Sequence, residues 1–422
     1  MPALIATLVS TWYGGILGVG EYSYQFGISQ WLIFGAPYYV FAVLFALLLA
    51  GRIRRNVALT IPEALERIYG PRSGGFSALL IFVLVSPAPY ILMLAILFQY
   101  VTGMDGNILV YASFIALFSV GYVSLNGYHA VVRTDMLQAG LMFGGFGLMI
   151  ILAAGKAGLP WQIWGQLPDI HRDATGGHGI QFVIVWFFIA LWTFVDPGFH
   201  QRAASAKNPK TARNGILYSV GFWFVFDFFT VFSGLYGFLL LQNPADPALV
   251  YPELATLLMP AGLLGLFFVT LIATMMSTLD SKLLLSGQTL GRDLFTRYNP
   301  TANPVKASRW AMLLSAVVGI VLIYLYPGVI DLWYVIGSVI IPGLLLPVLG
   351  VYLPFFRVDQ SFVLPLMVVP FLISLLWLTA GTMTTDDLYS YAFLGVEPFY
   401  PGLFSGLMIW STCKLYSLRC NR

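Results

Sequence analysis

Ser277 and Thr278 are adjacent hydroxyl side chains in the middle of a long apolar stretch, and their chemistry suits ion binding. Hydroxyl and carbonyl oxygens are neutral hard ligands that suit Na⁺, which is singly charged and readily released. A cage of carboxylates would instead favour divalent cations. Helical hydroxyls more commonly bond back to the preceding turn, and the pair by itself favours that interpretation. A sodium site is the alternative.

Four charged residues accompany this pair in two apolar stretches. Asp135 follows Arg133 by two residues, and Lys282 follows Asp280 by two residues. Charged groups inside a membrane are costly and mark functional positions. An ion pair that anchors the inner end of a helix explains Arg133 and Asp135 most simply. A single inner network of all four residues is the alternative.

Two further aspartates belong to apolar segments. Asp227 has mainly aromatic neighbours, so we expect it to be protonated, to be paired or to line a water-filled cavity. Lys282 is its candidate partner. Asp196 precedes Pro197, and its candidate partner is Arg202.

The elements that must position these residues are membrane helices. Charged residues make up 9% of the 422 residues and hydrophobic residues 59%, whereas soluble domains carry roughly 25% charged residues. The solvent is therefore a lipid bilayer. The net charge of +3 does not indicate a nucleic-acid partner, and two cysteines exclude a disulfide scaffold. With no H-E-x-x-H pattern or other catalytic cluster, we predict no enzyme activity and no cofactor.

Twelve apolar stretches predict about twelve transmembrane helices. If the N-terminus is inside, all Lys and Arg residues except Lys156 and Arg172 fall in inner loops. This distribution is the expected one, because Lys and Arg accumulate in cytoplasmic loops. We therefore predict a multi-pass protein of the cell (inner or plasma) membrane with both termini in the cytoplasm. The stretches are 3–24, 29–51, 74–101, 107–124, 127–154, 179–200, 213–241, 256–286, 306–326, 329–354, 361–381 and 396–416.

Two of these helices are expected to be broken. Gly14 and Gly15 interrupt the first helix, and the sixth breaks between Trp192 and Pro197. Broken helices at matching places in two halves are typical of inverted-repeat transporters, although Gly and Pro are common in membrane helices generally. A short surface helix is predicted at 60–70, where Thr60 opens a capping box.

Several segments resemble the sodium/solute symporter family, which includes sodium/proline, sodium/pantothenate and sodium/glucose carriers. The resemblance implies an all-α LeuT-type fold with a 5+5 inverted repeat: helices 1–5 in residues 1–154 and helices 6–10 in residues 179–354. Two additional helices would follow in residues 361–416. The matching segments are 10–15, 59–70, 130–138, 196–202 and 276–281.

The resemblance also implies a sodium site between the first and eighth core helices. Its ligands would be the carbonyls of Val9, Trp12 and Thr274 and the hydroxyls of Ser277 and Thr278. The family usually has Ala where Thr274 stands, which changes little if only the carbonyl coordinates. Asp135 matches an aspartate on the family's sodium exit path. Because Arg133 and Lys282 are departures from the family pattern, we expect a fixed cation to neutralise Asp135 or Asp280 and one Na⁺ to be coupled per cycle.

The expected function is sodium-coupled symport of a small organic solute, such as an amino acid or carboxylate, into the cell by alternating access. The expected partners are Na⁺, the solute and the bilayer, with no obligate protein partner. Asp227 favours a cationic or zwitterionic amine. Family members normally carry one more helix before the core, so an N-terminally truncated, inactive remnant or a non-transporting sensor is the alternative. The expected substrate cavity contains Tyr13, Gly14, Gly15, Trp192, Asp196 and Asp227.

Overall fold

The computed structural model describes residues 1–56, 58–241, 244, 246–384 and 391–420, with residues 126–133 and 418–420 described by their backbone alone. This part of the chain is almost entirely helical, as predicted. The main helices are α1 Pro2–Trp12, α2 Ile16–Phe26, α3 Trp31–Arg55, α4 Ile61–Tyr69, α5 Pro71–Leu84, α6 Ala88–Thr102, α7 Ile108–Ala157, α8 Ile180–Ile189, α9 Trp192–Val195, α10 Pro197–Ser205, α11 Pro209–Leu240, α12 Val250–Leu258, α13 Ala261–Tyr298, α14 Pro304–Leu325, α15 Val329–Tyr352, α16 Gln360–Gly381 and α17 Phe399–Cys420.

Ten helical segments of the described chain are long and apolar enough to cross a membrane, and the bent unit from Ile180 to Ser205 would make eleven. Helix α7 contains two of them, Ile108–Leu125 and Thr134–Ala157, where two spans were predicted. The last predicted span, 396–416, corresponds to α17. This helix carries Lys414 and is not among the ten apolar segments.

Both predicted helix breaks are present. Residues Tyr13–Gly15 form a single tighter turn between α1 and α2. In the other half, α8 and α9 are followed by a bend of 40° into α10. Asp196 begins α10, because its Oδ1 accepts from the backbone N–H groups of Gly198 at 2.7 Å and Phe199 at 3.2 Å. The two breaks bring irregular backbone and polar side chains into the interior of the helix bundle.

Helix α4 is the predicted surface helix. Its N-cap Thr60 accepts from the backbone N–H of Glu63 at 3.2 Å, and it ends at Gly70, whose φ of +81° favours glycine. On its solvent side Glu66 pairs with Arg297 at the end of α13, at 2.5 Å. The core of the bundle lies around α15, whose most apolar stretch of 18 residues is completely buried.

Candidate functional site

Helix α1 ends beside the middle of α13. The last carbonyls of a helix lack partners within it and carry the negative end of its dipole. Thr278 Oγ1 donates to the carbonyl of Thr11 at 2.8 Å. Ser277 Oγ donates to Asp135 Oδ1 at 2.6 Å and lies 3.2 Å from Ser10 Oγ. Both hydroxyls thus contact neighbouring helices, where the residues alone favoured bonds back along their own helix.

The residues proposed as sodium ligands lie where the C-terminal end of α1 faces the middle of α13. Four of them are buried, and Trp12 is partly buried. The hydroxyl of Thr274 donates to its own helix at Thr270 O, at 2.8 Å, and the proposed ligand of this residue is its carbonyl. The oxygens of two hydroxyls and of main-chain carbonyls are ligands that suit Na⁺. The set is Val9, Trp12, Thr274, Ser277 and Thr278.

Asp135 is completely buried, and its ion-pair partner among the described residues is Arg202. Arg202 Nη2 lies 4.0 Å from Asp135 Oδ2 and donates to Thr11 Oγ1 at 2.7 Å. Thr7 donates to Asp135 and accepts from Arg202 Nε at 3.2 Å. Arg202 was predicted to pair with Asp196, so its place beside Asp135 is a correction. The arrangement puts a permanently charged guanidinium beside Asp135 and the hydroxyls of Thr7 and Thr11 on α1.

The predicted inner network around Lys282 is also corrected. Lys282 Nζ pairs with Asp196 Oδ2 at 2.9 Å, in the broken helix of the second half. Residues two apart in a helix do not share a face, so Lys282 and Asp280 point in different directions. Asp280 is buried, and its Oδ1 has no hydrogen-bond partner in the described part of the chain. The side chain of Arg133 lies outside the described residues.

Asp227 is buried and accepts a hydrogen bond from the hydroxyl of Tyr39. Its partner is therefore a neutral donor, and the predicted pair with Lys282 does not form. Tyr13, at the first break, donates to the carbonyl of Trp223 at 2.7 Å, one turn before Asp227 on α11. These bonds join the first break, α3 and α11 at one side of the bundle interior.

A cavity of about 140 Å³ borders both helix breaks. Gly14 does not line it, because Gly14 packs against Thr278 on α13. Lys282 and Arg202 line it in addition to the predicted residues. The predicted residues that line the cavity are Tyr13, Gly15, Trp192, Asp196 and Asp227.

Gln30 is a cavity residue that the sequence reasoning missed. It has no exposed surface, and neither Oε1 nor Nε2 of its side chain has a hydrogen-bond partner within the described structure. Buried polar atoms are normally paired, so each such exception needs an explanation. One indication of it was present in the sequence, because Gln30 is a polar amide at the start of the second apolar stretch, and polar side chains are rare inside membrane helices.

The comparisons with known proteins concern the family and the fold. A sequence profile of the sodium:solute symporter family matches residues 3–357. The sodium/pantothenate symporter of Haemophilus influenzae is 25% identical over 245 residues, which cover 55% of this chain and 51% of that protein. The osmoregulated proline transporter OpuE of Bacillus subtilis is 24% identical over 434 residues, covering 93% of this chain and 83% of that protein. The chain thus spans about half the length of the first relative and more of the second.

Solved structures are similar over nearly the whole chain. A Na⁺-coupled sialic acid symporter in a substrate-bound, outward-open state has a TM-score of 0.72 at 16% identity, covering 97% of this chain and 89% of its own. Mhp1 in an inward-facing conformation has a TM-score of 0.63 at 15% identity, covering 99% and 91%. At this identity the likeness concerns the fold, and it confirms the predicted LeuT-type architecture.

Proposed function

Because this chain belongs to the sodium:solute symporter family, we propose that it couples the entry of Na⁺ to the uptake of a small organic solute. The family and the similar structures are transporters rather than enzymes. The bilayer is the surrounding medium, and the proposed partners are Na⁺ and the solute. Na⁺ acts as the coupling ion and is released with every cycle.

The contact between α1 and α13 supports this proposal most directly. Ser277 and Thr278 approach Ser10 and the carbonyl of Thr11 at 3.2 and 2.8 Å. An ion held by these hydroxyls together with the carbonyls of α1 ties the two helices to each other. A state that separates them loses the ion. Such a difference in affinity between two states is what couples an ion to a conformational change.

The proposed cycle uses the two broken halves as moving parts. Residues 1–154 and 179–354 form the two inverted repeats, and residues 361–416 are peripheral. Na⁺ stabilises the outward state, the solute enters the cavity beside the breaks, and the loaded protein rocks inward. The driving force is the sodium gradient plus the membrane potential, which supplies about 2.3 kcal/mol per charge for each 100 mV.

We also propose the cell (inner or plasma) membrane as its location, with both termini in the cytoplasm. In this orientation the Lys and Arg residues outside the bundle interior, except Lys156 and Arg172, belong to the cytoplasmic side. Arg202 and Lys282 are instead buried beside the cavity. The three arginines in the last turn of α3 and the basic end of α13 then face the same compartment.

The test is uptake into proteoliposomes of the purified protein under an inward Na⁺ gradient, with K⁺ as the control ion. Common L-amino acids and small carboxylates serve as probes. We expect Ser277→Ala to abolish Na⁺-driven uptake and the stabilisation of the detergent-solubilised protein by Na⁺. Ser113→Ala is the matched control, because the Ser113 hydroxyl donates to its own helix at Leu109 O, at 2.7 Å.

Equal Na⁺ stabilisation of wild type and Ser277→Ala would contradict the sodium site. Uptake that proceeds equally well with K⁺ would contradict sodium coupling as a whole.

A further inference from the structure

The ion pair of Lys282 and Asp196 lines the cavity, and the proposed sodium site does not use it. The two groups are 2.9 Å apart, and their side chains are 9% and 13% exposed. Asp196 is held independently of Lys282, because its other oxygen caps α10. Lys282 has three N–H donors, and the described structure assigns one acceptor to them. The ammonium group therefore keeps binding capacity that Asp196 does not use.

We propose that Lys282 binds the carboxylate of a small zwitterionic solute of the amino-acid class, an inference that rests on the proposed transport function. A carboxylate oxygen is the acceptor that an ammonium group binds most strongly. A ligand carboxylate reaches the unused donors of Lys282 or replaces the Oδ2 of Asp196. Asp196 keeps its two backbone N–H donors in either case.

The charges beside the cavity suit a ligand that carries one charge of each sign. Arg202 pairs with Asp135 and Lys282 pairs with Asp196, whereas Asp227 accepts from a neutral hydroxyl, that of Tyr39. A ligand ammonium group finds its counter-charge in Asp227, and a ligand carboxylate finds the unused donors of Lys282. A simple anion or cation uses only one of these two groups.

The remaining polar and aromatic groups fit the other end of such a ligand. Gln30 offers an unpaired donor and an unpaired acceptor, so both are present whichever way its amide is turned. Asp227 and the ring of Trp12 also line the cavity, and aromatic faces attract ammonium groups. The carboxylate end is assigned to Lys282 and the ammonium end to this second group of side chains.

The experiment is Na⁺-driven uptake of labelled probes by the full chain in proteoliposomes. The probes are the common L-amino acids, betaine, choline, pyruvate and glucose. We expect uptake of at least one zwitterion and none of choline, pyruvate or glucose. The proposal is overturned if only the cation, the anion or the neutral sugar is transported, or if no zwitterion is.

Lys282→Gln then tests the residue itself. Losing a charge-assisted hydrogen bond should reduce zwitterion uptake at low concentration by on the order of 10- to 100-fold. Lys306→Gln, at an exposed position, should leave uptake unchanged. Lys282→Gln alone leaves Asp196 unpaired, so the double variant Lys282→Gln/Asp196→Asn, which removes both charges, should fold and show the same loss. Undiminished zwitterion uptake by either variant overturns the proposal.

Stabilisation by Na⁺ separates this inference from the proposed function. If Na⁺ stabilises wild type and Lys282→Gln equally, sodium binding stands and only the substrate assignment is under test. Absence of Na⁺ stabilisation in the wild type would overturn the proposed function, together with the inference that rests on it.

Discussion

Replacing Gly14 by alanine perturbs the contact between the first helix break and α13 by a single methyl group. A Cβ at this position would lie 2.8 Å from Cγ2 of Thr278 and closer still to its Oγ1 and Cβ. Carbon atoms pack best at about 3.5–4.0 Å. The added methyl therefore pushes Thr278 and the break apart by at least about 1 Å.

The size of the effect follows from the neighbouring hydrogen bond. Thr278 Oγ1 lies 2.8 Å from the carbonyl of Thr11. A separation larger by about 1 Å takes this pair beyond hydrogen-bonding distance and enlarges the proposed sodium site. Overpacking typically costs about 1–3 kcal/mol. If half of that cost falls on the sodium-bound state, the concentration of Na⁺ for half-saturation rises about 2- to 13-fold.

The assay is a Na⁺ titration of the melting temperature in detergent at constant ionic strength. Gly144→Ala on α7 is the matched control, because nothing lies within 4 Å of a Cβ at that position. The control should retain the wild-type midpoint, and helix propensity favours alanine there. A wild-type Na⁺ midpoint in Gly14→Ala would refute the argument that this close approach shapes the ion site.

Two further predictions concern charge. Because Arg202 already neutralises Asp135 at 4.0 Å, Na⁺-dependent uptake should have a Hill coefficient near one, and a value near two would contradict the fixed-cation hypothesis. In the loop between α7 and α8, His171 donates from Nε2 to Tyr24 O at 2.8 Å, and burial lowers its pKa. As the pH falls, the unfolded chain therefore takes up the proton before the folded one, and the melting temperature should decrease below a pH of about 6.5. His171→Gln should make the melting temperature depend less on pH in this range. An unchanged pH dependence would refute the role of His171.

Local signals predicted the elements of this fold. Runs of apolar residues marked the membrane helices, because a helix in lipid satisfies its backbone internally and needs only apolar length. The breaks at Gly14-Gly15 and before Pro197 were predictable for a similar reason, since glycine and proline weaken a helix locally. The signal is not sufficient by itself, because α15 continues through Pro342 and Pro347. The cap at Thr60 involves residues three apart, which can be recognised from the sequence alone.

The partners of the charged residues depended on the tertiary structure. Lys282 and Asp196 are 86 residues apart, and Ser277 and Asp135 are 142 apart. In a soluble protein the polar face of a helix indicates which way it is turned. A membrane helix such as α13 has no water-facing side, and in lipid no hydrophobic contrast reveals which face meets its neighbour. Small residues and individual polar contacts decide that rotation. The sequence by itself therefore determined the fold class, the helix breaks and the kinds of oxygen available to an ion. Only the packing of the helices decided that Arg202 meets Asp135, that Lys282 meets Asp196 and that Gln30 reaches the cavity.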